Sequence, residues 1–376
     1  MSFLSDAKFI GVRRRSGKQE RKIMKKTVLS IMVAGLAVTA QSATYTWTGS
    51  GADAAWSTTA NWTPSPTLSG ADLIFTSSGT QRSNYIASTL SIKGVAFDSG
   101  APDTYIRLSS LGTGSGVRNL GLNVSGSYIN VNSGANGNYT IDGPGAFLIN
   151  QSVSINHNGN GTLTLGKLAA STANNYGITK TGTGTLILSG ANTFTGAIAV
   201  ANGTLLVNGN SSAATGAVTV SFGAALGGSG TVGGVTTVAG DLKPGSSPGA
   251  LTFTRGLTLA DTSATTFEIA SLSSFDVLAN DGGDTITFQD GADVLFDFAG
   301  YTAVYNDSFL VLSNWGSRVA SGTLNLSVTN LTAGYSLDTS NLLTTGVVTV
   351  IPEPATIGML GLGALITLVL RRRLVV

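Results

Sequence analysis

Few side chains in this sequence are equipped for chemistry. Cysteine is absent, which removes disulfides and thiolate metal sites together. The one histidine, His157, sits in Asn156-His157-Asn158-Gly159, which reads as a turn with a solvent-facing ring. Gly245-Ser246-Ser247-Pro248-Gly249 has the letters of a nucleophile elbow. That elbow needs an oxyanion donor from the backbone N–H after the serine, and Pro248 has none. Gly228, Gly230 and Gly233 have the spacing of a dinucleotide fingerprint, but the Val235-Thr236-Thr237-Val238 run that follows cannot open the helix that would hold a pyrophosphate.

The carboxylates leave more room. Glu268 is the one glutamate between Thr44 and Ile351, and Asp281, Asp284, Asp290, Asp293 and Asp297 crowd the stretch after it. Hard oxygen ligands of this kind suit Ca²⁺, but their spacing matches neither an EF-hand nor a Gly-rich nonapeptide repeat, so they read as solubilising turn residues. A carbohydrate-active site would require two carboxylates about 5 to 10 Å apart in one cleft. Trp47, Trp56 and Trp62 could form a stacking platform for sugars if they stood exposed in a row. As residues near the start of a β stack they read first as its apolar cap.

Composition narrows the fold. The chain has 376 residues, 50 of them Gly, and only 11% are charged. That is too apolar for disorder and too rich in Gly, Ser, Thr and Asn for helices, which leaves short strands and tight turns. The formal charge of +2 is misleading, because the basic residues gather at the two ends. Between Thr44 and Ile351 nine basic residues face sixteen acidic ones, a net charge of −7. An acidic body without Lys/Arg clusters excludes nucleic acid as an expected partner.

From about Leu120 the strands repeat. Gly161, Gly184, Gly203, Gly230 and Gly249 each lead a short alternating segment such as Gly184-Thr185-Leu186-Ile187-Leu188, at intervals of 23, 19, 27 and 19 residues. One such strand cannot bury its apolar face alone, whereas stacked copies bury a continuous Leu/Val/Ile column. Residues 178–210, with Lys180-Thr181-Gly182-Thr183-Gly184-Thr185-Leu186 and Ser189-Gly190-Ala191-Asn192-Thr193-Phe194-Thr195-Gly196, resemble the autotransporter-associated β-strand repeat. The resemblance implies a β-helical stalk exposed at a cell surface. It does not imply autotransport, since nothing after residue 255 has the run of alternating strands that a membrane barrel requires.

Both ends read as addresses. Met24-Lys25-Lys26, the apolar run Val28 to Val38 and small residues through Ala43 have the layout of a secretory signal peptide, with Met24 as the expected true start. At the other end, Pro352-Glu353-Pro354 is expected to stop regular structure; sixteen mostly apolar residues to Leu370 and then Arg371-Arg372-Arg373 follow. This tail resembles a PEP-CTERM sorting signal, the bacterial tag recognised by exosortases. Sixteen residues rise only about 24 Å as a helix, short of a roughly 30 Å hydrocarbon core, so the segment suits a transient membrane contact before cleavage.

The expected fold is all-β: a right-handed parallel β-helix with a β-rich C-terminal cap and terminal signal and sorting helices. The expected divisions are a signal peptide at 1–43, an N-terminal β cap at 44–119, a solenoid at 120–255, a C-terminal β region at 256–350 and the sorting signal at 351–376. The sorting residues are Pro352, Glu353, Pro354, Arg371, Arg372 and Arg373. The expected function is that of an exported surface or extracellular-matrix protein of structural or adhesion type, without enzymatic activity or cofactor. Its partners would be the secretion machinery, an exosortase-like protease, the membrane through the tail, and extracellular polysaccharide. The alternative is a secreted carbohydrate-binding or carbohydrate-active β-helix protein.

Overall fold

A computed structural model describes residues 42–109, 117–170, 175–246 and 248–353. Ser42 aside, these belong to one unit that starts at Ala43. The expected signal helix and the apolar tail lie outside them.

The chain winds as a parallel β-helix. Successive coils lay one strand on each of two long sheets, of thirteen and twelve strands, and most lay a third on a shorter face. One complete coil runs Val153–His157, Thr162–Leu165 and Leu168–Ala169. The next begins at Ile178–Thr181, paired in parallel with the first strand of the coil before it. Among the described residues the one helical element is a 3₁₀ turn at Thr59–Asn61. The first sheet continues without a break through positions 119/120 and 255/256, since Gly94–Phe97 pairs with Tyr128–Val131 and Thr236–Val238 pairs with Leu257–Leu259.

Period-two alternation fixes the register, because a slip of one residue would turn every apolar side chain outward. Along the second sheet Leu163, Leu186, Leu205, Leu226 and Leu242 lie in one inward column, continued by Thr265, Val294 and Leu326. All but the last are buried. A column of this kind shields each leucine by the one above and the one below, which is why no isolated coil would hold its shape.

The glycines act at the corners. Gly196, Gly216 and Gly234 stack there, and a Cβ on either of the latter two would land on the carbonyl oxygen of the glycine one coil earlier. Gly228, Gly230 and Gly233 are held to the same rule by the carbonyls of Val207, Gly209 and Ser211, so their fingerprint spacing records coil-to-coil contact. We expect Gly216→Ala to cost about 1–3 kcal/mol through forced separation of neighbouring coils, read as a lower melting temperature by circular dichroism.

The third face is two sheets, not one. Leu90–Ile92, Leu120–Leu122, Phe147–Ile149 and Leu168–Ala169 make the first, and the second begins at Asn210–Ser211. In the coil between them Asn192 replaces a strand. Its fully buried side chain accepts from the Leu168 N–H at 2.8 Å and donates to Ser211 Oγ at 2.8 Å, while its own N–H donates to the Asn210 carbonyl.

Candidate functional site

The sorting residues divide at the edge of the described chain. Val347–Pro352 is the central strand of a small antiparallel sheet, flanked by Ser308–Leu310 and Tyr335–Asp338. Pro352 is paired opposite Tyr335, and the Glu353 N–H donates to the Gly334 carbonyl at 3.0 Å. The strand ends at Pro352, as expected of the proline pair, with the first proline itself as its last residue. Proline is tolerated as the last strand residue because no ladder N–H is needed there. Glu353 itself is exposed. Pro354, Arg371, Arg372 and Arg373 lie outside the described residues. Among the described residues no helix is long and apolar enough to cross a membrane.

The tryptophans close the opposite end. Trp47, Trp56 and Trp62 are each almost wholly buried, with Trp62 edge-on to both of the others at 5.0 and 5.5 Å. Their indole N–H groups are spent on Gln81 O, Asn84 Oδ1 and Trp56 O. An exposed row for sugar stacking is not what these residues make; they form the cap, which is where aromatic area stabilises most.

His157 is also relocated. It ends the strand Val153–His157 with its ring fully buried and with no hydrogen bond of normal geometry at either nitrogen. Room for the ring comes from the next coil, where a Cβ on Gly184 would overlap Nδ1. Burial, with the Lys180 charge adding to it, pushes the imidazole down to about 4. Lys180 faces inward from the same sheet one coil on, in the column that holds Ile155 and Val200. It is fully buried, and Nζ donates to the carbonyls of Thr181, Gly182 and Asn202 at 3.1, 2.9 and 3.1 Å. Those three acceptors match the three donors of an ammonium. Burial pushes this lysine down to about 8.

Two carboxylates line a common groove. A groove of about 350 Å³ is lined by Lys243, Ser246, Glu268 and Asp276, among others. Both oxygens of the buried Asp276 accept backbone N–H bonds, Oδ1 from Gly249 at 2.8 Å and Oδ2 from Glu268 at 2.9 Å. The side chain thereby clips the turn that starts at Gly245 to the long strand Ala264–Ser271. Burial raises Asp276 to about 6 despite those two bonds. The crowded aspartates do similar mechanical work: Asp290 accepts from Thr323 N, and Asp297 accepts from Thr329 Oγ1 and Asn330 Nδ2 in the following coil. Among the described residues no group of three or more carboxylate or imidazole side chains gathers as a metal site.

Residues 350–373 match the PEP-CTERM protein-sorting motif. The chain carries a PEP-CTERM sorting signal. The PEP-CTERM match begins inside the terminal strand, at Val350, so the motif and the folded body share three residues, Val350 to Pro352. Residues 178–207 match the passenger-associated-transport repeat, the coil in which Lys180 and Asn192 are both buried. A stretch of 71 residues, 18% of this chain, is 44% identical to the adhesin BmaC autotransporter of Brucella suis biovar 1 (strain 1330). That stretch spans 2% of the length of the adhesin.

Proposed function

We propose that this is an exported, non-enzymatic β-solenoid of structural or adhesion type, delivered to the cell surface or extracellular matrix by its PEP-CTERM tail. The observation that carries the reading is the join at Val347–Pro352: the sorting motif leaves the folded body directly from a paired strand. An exosortase-like protease would release a body that is already closed, and the transport repeat and the adhesin-like stretch favour a surface stalk. The secretion machinery and, transiently, the membrane are the other partners; the net charge of −7 argues against nucleic acid. Mass spectrometry of the protein from its native cells is expected to find a C-terminus near Pro352-Glu353-Pro354. Recovery of Arg371 to Arg373 in the surface fraction would overturn the processing half of the proposal.

The carbohydrate reading keeps one observation in its favour, the meeting of Glu268 and Asp276 at a groove. Asp276 holds backbone with both oxygens, which favours a clip over an acid catalyst. Glycan binding or cleavage abolished by Glu268→Gln, with the fold intact, would reverse that preference.

A further inference from the structure

The two ends of the β-helix are finished differently. At the start, Trp62–Thr63 folds back antiparallel across Thr44–Trp47 and three buried indoles close the core. At the other end the two long sheets finish on Ser317–Ala320 and Asn325–Thr329, each the last strand of its ladder. Every residue of Asn325–Thr329 is exposed. Leu326 is 41% exposed, although it extends the column in which Leu163, Leu226, Leu242 and Val294 show nothing to solvent. Val328 extends the Phe267–Phe296 column and is 37% exposed.

This edge also lacks the usual guards. Edge strands are ordinarily protected by lysine, proline, a bulge or a covering element. Between Ser317 and Thr332 the single charged residue is Arg318, and its guanidinium turns back to the Leu312 carbonyl at 2.8 Å. The body elsewhere is acidic, so two copies repel across most of their surface. An uncharged edge is where that repulsion is least. A strand edge is complementary to itself when two copies meet antiparallel about a two-fold axis, and such a contact closes at two copies. Head-to-tail stacking would need an open rung at the start, where the tryptophan cap stands.

We infer that Asn325–Thr329 is the docking edge for a second copy of this chain, joined end to end about a two-fold axis. Pairing there satisfies the free backbone groups and places Leu326 and Val328 of each copy over those of the other, so that the two cores become one. Asp293 and Asp297 stand one rung back, in register with Asn325 and Thr329, so association strengthens as salt screens them.

The absence of cysteine makes the test direct. Ser327→Cys in the full chain, expressed in its native envelope and mildly oxidised, is expected to give a disulfide-linked dimer, because directly opposed positions of paired strands lie about 5 Å apart. Thr237→Cys, on the outer face of the first sheet, is expected to stay monomeric. Adding Leu326→Lys and Val328→Lys to Ser327→Cys should cut the dimer about tenfold or more, since like charges would face each other across the pair. Both positions are already exposed, so circular dichroism should show the fold unchanged. Failure of Ser327→Cys to cross-link, equal cross-linking at Thr237→Cys, insensitivity to the lysines, or capture of a different protein would each overturn the inference.

Discussion

Lys180→Ala is expected to destabilise the solenoid by about 3–5 kcal/mol. The substitution empties three methylenes and the ammonium from a packed column, a loss of about 2–5 kcal/mol for a large-to-small change in a core. It also removes the donor shared by the carbonyls of Thr181, Gly182 and Asn202. Relief of the buried charge offsets part of this, as the depressed lysine titration shows that holding the ammonium away from water is costly. Lys180→Met separates the effects: it retains most of the packing and loses only the donors, so its cost should be clearly smaller. Melting temperatures of the two variants by circular dichroism measure the difference, and an alanine variant as stable as wild type would show that the ammonium does not hold the turn.

Acid should weaken the same layer. His157 titrates near 4 in the folded chain and near 6.5 when unfolded, so between those values the unfolded state binds the extra proton. Its contribution is complete above about pH 6.5 and is lost as the pH falls toward 4, amounting to about 3 kcal/mol. Asp276 has the opposite sign. Its folded value is raised to about 6 from 3.8, so its contribution is complete below about pH 3.8 and is lost as the pH rises through 6. The two partly cancel in the wild type. His157→Leu should therefore flatten or invert the acid loss, and Asp276→Asn should steepen it, in urea midpoints compared at pH 7 and pH 4.5. Parallel pH profiles for wild type and His157→Leu would exclude the imidazole as the cause.

The stacked strands were legible because Gly-Thr-Leu segments state their own period, and one apolar face per strand demands a neighbour. The cap was legible in kind, since three tryptophans near a chain start need burial somewhere. Lys180 and His157 were not legible, for a common reason. A charge or an Asn-Gly sequence reads as exterior when only local composition is consulted, whereas their burial is decided one coil away, by the Asn202 carbonyl in one case and the space left at Gly184 in the other. The groove escaped for the same reason, because Lys243, Glu268 and Asp276 converge only once separate strands are laid side by side. Pro352 was legible as a stop, since the strand ends on it; what the local pattern did not show is that the proline is itself the last paired residue.

The placement of Val347–Pro352 sets an order of events. Rungs of the solenoid can be added as the chain emerges from a channel, each on the one before. The small sheet at its end cannot, because its middle strand is its last in sequence and both neighbours must wait for it. On the proposed export route its closure would follow translocation of the body, and the residues that complete it lead straight into the sorting motif. On that route the terminal sheet would act as a vectorial end-stop, in which the last segment to arrive is the one that locks.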